Sequence, residues 1–540
     1  MPQLRRWKDN IMENFVFSSR AKMVTLGFGV LGVICLIATY LFYPEGHHMR
    51  FWTNFLHNSV FFLGIAFMAG FVLAAFTTAY AGWYVTFKRV WESFSLWMLP
   101  ALFTMGVLIV GLILGSHHLY HWNDPEVVLS DPILTHKSAF LNQPWYIGGT
   151  IIFGAIWYFF ISRMRQISVD EDVNGGDANF SHHRKYRKYA AIFLPIAGFT
   201  SAALIWQWIM SMDSHWYSTM FAWYATASWF VAMVSLTIML MIYLKSRGYF
   251  PNVTMEHFHD LGKYMFAISI FWMYLWFSQY MLIWYANVGE ETIYFRERLD
   301  NYRVLFYANL IINFLLPLLI LMRNDTKRKY GTLFFVSAIL FVGHWVDYFL
   351  MIKPAARITI DEHSGHGDHG DHGDEHTYNL SAEDLDESPQ FASANNSYIV
   401  DQQEGDQHDG EAHDQGDQHA DDHSHDGEHA DDHSHADDHS HDGEHADDHS
   451  HAGDHGHDDE HAAAHGGGEH GDHGGGGHHG GVDPTNRGFK AGYTLPGFLE
   501  IGTFLGFLGF FLFFALSRLE KAALIPKNDP YLVESDHHHT

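Results

Sequence analysis

Residues 205–224 read IWQWIMSMDSHWYSTMFAWY, which ends one long apolar segment, turns at Asp213 and His215, and begins another. A carboxylate and an imidazole are costly to place near lipid, so a turn that carries both is either a solvated corner or a chemical site. The same alternation of apolar segments and short polar turns continues on both sides of this corner.

Ten long runs contain most of the apolar residues of the 540-residue chain. Each run is near or above the roughly 18 residues expected of a helix that crosses a bilayer. We therefore predict an all-α polytopic membrane protein with ten transmembrane helices. The runs are Lys22–Phe42, Phe55–Trp83, Phe94–Gly115, Trp145–Ser162, Tyr189–Met212, Met220–Leu244, Leu261–Ala286, Val304–Met322, Gly331–Met351 and Phe498–Leu516.

The corner divides runs two to nine into two antiparallel groups of four. Two four-helix bundles side by side, with the first and last helices packed outside them, is the economical architecture for this number of spans. The predicted parts are an arm with the first helix at 1–54, bundles at 55–212 and 213–352, an exterior loop at 353–495, and the last helix with its tail at 496–540.

Positive charges predict the topology, because Lys and Arg concentrate in cytoplasmic segments of membrane proteins. If the amino terminus is inside, the cytoplasmic segments carry 23 of the 32 Lys and Arg residues. Both termini are therefore expected in the cytoplasm. The first run lacks a small-residue cleavage site, so we expect a retained span rather than a signal peptide.

The insert between runs nine and ten has a different composition. Residues 361–483 contain 26 of the 42 His and 36 of the 61 acidic residues but no Lys or Arg, and residues 421–436 recur unchanged at 437–452. Such a segment has too little apolar surface to fold, so a disordered exterior loop is predicted. Metal binding, proton buffering and a loop without a specific role all remain open.

The single cysteine, Cys35, excludes several kinds of redox protein. The chain cannot form an internal disulfide, hold an iron–sulfur cluster by its own thiolates, or attach a c-type haem covalently. A bis-histidine b haem needs imidazoles inside the bilayer, whereas most histidines here lie at helix ends, with His344 the clearest interior case. No covalently bound cofactor is expected, and any electron carrier must belong to a partner.

Polar residues on the predicted exterior side of the first bundle suggest a quinol-type pocket. A hydroquinone loses two protons as it loses two electrons, so its oxidation needs nearby imidazole or carboxylate acceptors and an apolar slot. The alternative is an interfacial belt with no ligand. The candidate residues are His57, His118, His121, Asp213 and His215.

The second bundle carries titratable and hydroxyl groups from one predicted side to the other, as a proton path requires. Helical spacing along run seven puts Asp260, Tyr264, Tyr274, Ser278 and Tyr285 close to one face. The alternative is that these groups only bond neighbouring helices or cap them. The candidates are His257, His259, Asp260, Tyr274, Ser278, Gln279, Glu290, His344 and Asp347.

Three motifs resemble the second polysulphide-reductase-type (NrfD-like) membrane subunit of alternative complex III, a bacterial quinol:cytochrome c oxidoreductase. They are MSMDSHWYSTMFAWY, EHFHDLGKYMFAISIFWMYLWFSQYMLIWYANVGEETIYF and GSHHLYHW. The resemblance implies a bacterial inner-membrane location, no redox centre in this chain, and a supporting role in proton transfer. Menaquinone or menaquinol and lipids are the molecules it implies at the site, with the quinol bound mainly in the sister subunit, so quinol binding by this chain stays open. It also implies a sister NrfD-like subunit, multihaem and monohaem c-type cytochromes, an iron–sulfur subunit and a terminal cytochrome oxidase as partners.

Three hypotheses follow from the sequence. The first is a membrane subunit of a menaquinol-oxidising complex that is not catalytic alone and has no nucleic-acid partner. The second is a secondary transporter of metal cations, since such transporters place carboxylates and histidines near the bilayer midplane. The third is a membrane anchor with no proton role. No particular metal ligand is predicted.

Overall fold

A computed structural model describes residues 15–365, 492 and 494–538 of the chain. Ten helices within these residues are long and apolar enough to cross a membrane, which confirms the predicted all-α polytopic membrane fold. They are α1 Ser19–Phe42, α2 His47–Thr78, α3 Val85–Ile113, α4 Gln143–Asn174, α5 Ser181–Met212, α6 Thr219–Ser246, α7 Met255–Ala286, α8 Arg303–Leu321, α9 Tyr330–Ile358 and α10 Phe498–Leu519.

Several helices extend past the apolar runs that predicted them. Helix α4 begins at Gln143, where Asn142 caps the first turn and Pro144 occupies a position that needs no N–H donor, and it continues to Asn174. Its last turns are polar, so apolar composition alone placed its end too early. Polar caps and charged last turns are compatible with a helix that leaves the bilayer.

The spans form two closed groups of four. Helix α2 packs against α3 and α5, and α4 packs against both of them, while α6 packs against α7 and α9, with α8 closing the second group. Contacts of α2 with α6 and α9 join the groups. The most apolar windows of α2 and α6 are 83% and 78% buried, against 28% for α7, so these two helices are the core of the molecule.

Helices α1 and α10 pair with each other outside the first bundle, as predicted, and α10 also packs on α2 and α3. Gly32 and Gly506 let the two backbones touch, because a Cβ added at Gly32 would lie 2.4 Å from the Gly506 Cα. Arg50 of α2 and Glu500 of α10 form a buried bidentate ion pair, with Nε–Oε1 and Nη2–Oε2 distances of 2.8 and 3.0 Å.

The molecule has two faces at the helix ends. We call the face with residues 15–18 and the C-terminal tail, residues 520–538, the terminal face, and the opposite one the distal face. The assignment of the terminal face to the cytoplasm stays a prediction. Short helices lie between the spans, Pro125–Ser130, Pro132–Lys137 and Gly289–Asp300 on the distal side and Asn324–Lys327 on the terminal side, and Leu532–Asp536 follows the last span on the terminal side. Nearly all of the predicted exterior loop lies outside the described residues.

Candidate functional site

Asp347 of α9 is the centre of a polar network inside the second bundle. Its side chain has no exposed surface. Trp272 Nε1 of α7 donates to Oδ2 at 2.9 Å, Asn309 Nδ2 of α8 donates to Oδ1 at 2.8 Å, and the Tyr224 hydroxyl of α6 donates to Oδ1. All four helices of the bundle therefore meet at one carboxyl group, and each donor is electrically neutral.

His344 lies one helical turn before Asp347 and is also fully buried. Its Nδ1 is 2.9 Å from the Ser228 hydroxyl and 4.0 Å from Asp347 Oδ2. Its Nε2 has no hydrogen-bond partner among the described residues. An imidazole that keeps one nitrogen unpaired beside a carboxyl and a hydroxyl can accept or pass a proton with a small movement.

A π-helical turn in α8 shapes one wall of the network. Residues Ile311–Leu315 form this turn, and Pro317, which has no N–H, cannot bond the Asn313 carbonyl four residues earlier. Asn313 Nδ2 donates to Asn309 Oδ1 at 2.6 Å, which orients the Asn309 amide toward Asp347. π-Helical turns inside α-helices are frequent at functional sites.

A small cavity extends from this network toward the distal face. Tyr224 and Asn309, which bond Asp347, are part of its wall. The space for water centres is about 20 Å³, which is enough for one water molecule. The wall consists of Tyr224, Trp276, Gln279, Tyr294, Phe295, Arg298, Phe306, Asn309, Leu350 and Met351.

Arg298 supplies a fixed positive charge in the wall of this cavity. Its side chain is 3% exposed. Pro354 has no N–H for the Leu350 carbonyl, and Arg298 Nε donates to that carbonyl at 3.1 Å. Two further N–H groups of Arg298 donate to the carbonyls of Tyr294 and Met351, and the guanidinium carbon lies 3.3 Å from the centre of the Tyr294 ring.

Asp213, at the corner between α5 and α6, lies beside this part of the second bundle. Trp216 stacks on Tyr294 with ring centres 3.6 Å apart, which brings the corner against Arg298. Asp213 is 5% exposed, and its Oδ2 has no hydrogen-bond partner among the described residues. Burial raises the pKa of Asp213 above its ordinary value, although the positive charges of Arg298, His215 and Lys137 oppose this shift.

The five residues of the predicted quinol-type pocket have different surroundings. His57 Nε2 lies 2.8 Å from the Trp345 carbonyl of α9, and His118 lies 4.2 Å ring to ring from His47. His121 is buried in a single helical turn, and His215 Nε2 lies 2.7 Å from Asp131 Oδ2. Among the described residues no three His, Cys, Asp or Glu side chains are close enough to hold one metal ion.

The proton-path residues of the second bundle lie in two places, the interior network and the terminal face. Three others, Tyr274, Ser278 and Glu290, belong to neither place. His344 and Asp347 form the network described above, and Gln279 is in the wall of the cavity. Glu290 is exposed in the first turn of Gly289–Asp300, where its negative charge interacts favourably with the helix dipole.

Tyr274, a candidate residue of the predicted proton path, lies on the outward face of α7. Its side chain is 61% exposed and that of Tyr285 is 84% exposed, while Ser278 is only half-buried. Helix α7 instead turns Trp272 and Gln279 inward. Large aromatic side chains lie on both faces of this helix, so their positions alone do not identify the inner face.

His257, His259 and Asp260 lie at the terminal face, where two of them contact the C-terminal tail. Asp260 Oδ2 is 2.6 Å from His538 Nε2 and its Oδ1 accepts from Lys263 at 2.9 Å. His257 accepts from the Thr254 amide at 3.1 Å and therefore caps α7. His259 is buried 3.9 Å from Glu256.

Sequence reasoning missed most of the partners of Asp347. Asn309 and Asn313 did carry a signal, because two amides four residues apart inside an apolar run are costly unless they bond inside the bundle. Tyr224, Trp272 and Ser228 carried none, since such residues are common throughout the spans.

A second buried polar cluster, at the terminal end of the first bundle, consists of ion pairs. Arg89 Nη1 donates to Glu92 Oε2 at 2.6 Å, and Arg165 bonds the same carboxylate oxygen. Arg89 also bonds Asp172, and Lys88 bonds Asp529 of the C-terminal tail at 2.8 Å. Both charges are thus present in each pair, which favours a structural role in joining α3, α4 and the tail.

Comparison with known proteins adds no relative. The sequence matches no known protein-family model and no curated protein. What the chain does must therefore be inferred from the chemistry of its own residues.

Proposed function

We propose that the protein is an integral membrane subunit of a quinol:cytochrome c oxidoreductase, or one with another periplasmic acceptor, and that its second bundle transfers protons. The observation that carries the proposal is the Asp347 network, in which a fully buried carboxyl group meets Tyr224, Asn309, Trp272 and nearby His344 beside a cavity that extends toward the distal face.

The neutral surroundings of Asp347 favour proton transfer over a structural role. Ionisable residues within spans are expensive and usually functional. Glu92 is held between Arg89 and Arg165, so protonating it would remove the negative charge that two buried positive charges share. Asp347 receives only neutral donors, and a proton can therefore be gained or lost there without breaking an ion pair.

Polar groups near Asp347 indicate how a proton would reach it. On the distal side, the Tyr224 hydroxyl and the Asn309 amide connect the carboxyl to the cavity. On the terminal side, His344 bonds Ser228. Farther along, Ser235 and Ser337 each bond the Met265 sulfur, at 3.4 and 3.7 Å. Hydroxyl groups thus continue into the terminal half of the bundle.

The redox part of the proposal is supported by the NrfD-like motifs and by the single cysteine. Oxidation of menaquinol releases two protons for every two electrons, and a membrane subunit that accepts protons complements partners that carry electrons. In this proposal those partners are the sister NrfD-like subunit, c-type cytochromes and an iron–sulfur subunit. The proposed location is the bacterial inner membrane.

The test is an Asp347→Asn variant in the complex purified from the native membrane. Reconstituted in liposomes and supplied with menaquinol, the wild-type complex should release protons as its cytochrome is reduced, and the variant should release fewer protons per quinol. Asp300→Asn, the same change at an exposed distal residue, is the matched control. An unchanged proton-to-quinol ratio in Asp347→Asn would contradict the proposal, as would purification of the chain without any cytochrome.

A further inference from the structure

We propose that Asp347 and Asp213 are the two ends of one proton relay across the distal cavity, and that Arg298 is a positioning residue that favours release of the proton from Asp213. This inference rests on the proposed proton transfer through the second bundle. It assigns Asp213, which the sequence grouped with a quinol-type pocket, to the same pathway as Asp347.

The first step runs from Asp347 to the cavity. The Tyr224 hydroxyl donates to Asp347 Oδ1, and the buried Tyr224 side chain is part of the cavity wall. Asn309 bonds the same oxygen and lines the same wall. A hydroxyl group both donates and accepts, so Tyr224 can pass a proton to a water in the cavity while it receives another from Asp347.

The second step crosses the cavity to the corner between the bundles. Tyr294 is in the cavity wall, with the Arg298 guanidinium against its ring and Trp216 stacked 3.6 Å from it. Trp216 is three residues from Asp213 in a short buried turn. This stack holds the corner that carries Asp213 against a wall of the cavity.

Asp213 is suited to receive the proton. Its Oδ2 is buried and has no hydrogen-bond partner among the described residues, although Arg298 is close enough to act on its charge. A buried acceptor without a partner usually indicates a water or an exchangeable proton at that atom. The other charged groups that act on Asp213 are His215 and Lys137.

The last step leads to the distal surface. His215 lies 2.7 Å from Asp131, and both side chains are partly exposed, at 25% and 19%. Lys137 Nζ donates to the Ser214 carbonyl at 2.7 Å, so the residue after Asp213 is held beside this exposed pair. A proton that leaves Asp213 therefore has only a short distance to a titratable pair in contact with water.

Arg298 cannot relay protons, because a guanidinium does not lose its proton in proteins. Its three bonds to carbonyl groups hold the charge in one place. A fixed positive charge favours the ionised form of a nearby carboxyl and so favours proton release from it. Each group in the relay gives up one proton for each one that it receives, so the steps balance.

Infrared titration of the purified full-length chain tests this relay. The carboxylic C=O bands of Asp213 and Asp347 are assigned by their loss in Asp213→Asn and Asp347→Asn. Arg298→Gln should move the midpoint of the Asp213 band to higher pH by about 1 unit or more, since a positive charge is lost. Asp213→Asn should move the midpoint of the Asp347 band to lower pH, since a negative charge is lost.

Arg296→Gln is the matched control, because Arg296 lies on the same helix and its side chain is 63% exposed. Arg298→Lys keeps the charge and should restore most of the Asp213 midpoint if Arg298 acts electrostatically. If both bands titrate but neither responds to its paired substitution, the relay is wrong while proton transfer at Asp347 stands. If the Asp347 band keeps one protonation state throughout, proton transfer at Asp347 is itself wrong.

Discussion

Tyr224 of α6 and Asp347 of α9 share a hydrogen bond in which the tyrosine hydroxyl donates to Oδ1 of a carboxyl with no exposed surface. Tyr224 also belongs to the wall of the distal cavity. One side chain thus both stabilises the buried acid and connects it to the space from which a proton can arrive or depart.

Replacing Tyr224 with Phe should slow proton transfer without changing the packing of the ring. The substitution removes one donor to Asp347 and the hydroxyl link to the cavity. A roughly hundredfold loss in the rate of proton release is expected, the lower end of what a positioned proton-transfer group contributes. The measurement is the rate of proton release after quinol is added to liposomes that contain the complex.

The control for this change is Tyr274→Phe, which removes the same hydroxyl from the outward face of α7. Its side chain is largely exposed and outside the network, so no change is expected. Equal rates for Tyr224→Phe and the wild type would contradict a role for this hydroxyl.

Asp260 should hold the end of the C-terminal tail on the second bundle. His538 Nε2 lies 2.6 Å from Asp260 Oδ2, and His257 Nε2 lies 3.1 Å from the Ser535 carbonyl in the helix Leu532–Asp536. Asp260→Asn weakens the charged contact, so the amides of this helix should exchange with deuterium faster. Asp325→Asn, at an exposed residue of the same face, should leave their exchange unchanged.

Unchanged exchange in Asp260→Asn would show that the tail is held by its other contacts. Those contacts include Ser535 Oγ, which donates to the Trp83 carbonyl at 2.7 Å, and the Lys88–Asp529 ion pair. Comparing Asp260→Asn with Ser535→Ala would then separate the two anchors.

The sequence predicts the fold well because apolar runs of bilayer length have few alternatives. All ten runs are helices in the part of the chain that the structure describes. Which face of a single helix points into the bundle is harder to predict, as α7 demonstrates. Periodicity places Tyr274 and Tyr285 on one face, but both faces of α7 are rich in aromatic residues, so composition does not reveal that Trp272 is the inward one.

Only part of the candidate site could be predicted from the sequence, for a related reason. Asp347 and His344 stand out because titratable residues are rare within spans. Sequence also gives the depth of a residue in the membrane, which is why His57 and Asp213 were grouped on one side. It does not give the lateral position, and the contacts of His57 with Trp345 and of Trp216 with Tyr294 join segments that are distant in the sequence.

The contact between α1 and α10 should be sensitive to one methyl group. A Cβ at Gly506 would lie 2.3 Å from the Gly32 Cα, so Gly506→Ala forces the two backbones apart. Overpacking of this kind costs about 1–3 kcal/mol. Gly27→Ala is the control, since nothing lies within 4 Å of its added methyl group. The comparison of thermal unfolding in detergent should show a lower midpoint for Gly506→Ala alone.

Attachment of the C-terminal tail to the first bundle should depend on pH through Asp529. The ion pair with Lys88 holds the pKa of this buried carboxyl below its ordinary value, although burial alone would raise it. Because the folded-state pKa is the lower one, the pair contributes its full stability above the ordinary pKa of an Asp, near 3.9, and loses it as the pH falls through the folded-state value. Amides of residues 527–531 should therefore become less protected on acidification, after correction for intrinsic exchange rates.

Asp529→Asn should show the weaker protection even at neutral pH, where Lys88 would be left buried without a counterion. If this variant and the wild type have equal protection at neutral pH, the ion pair does not hold the tail.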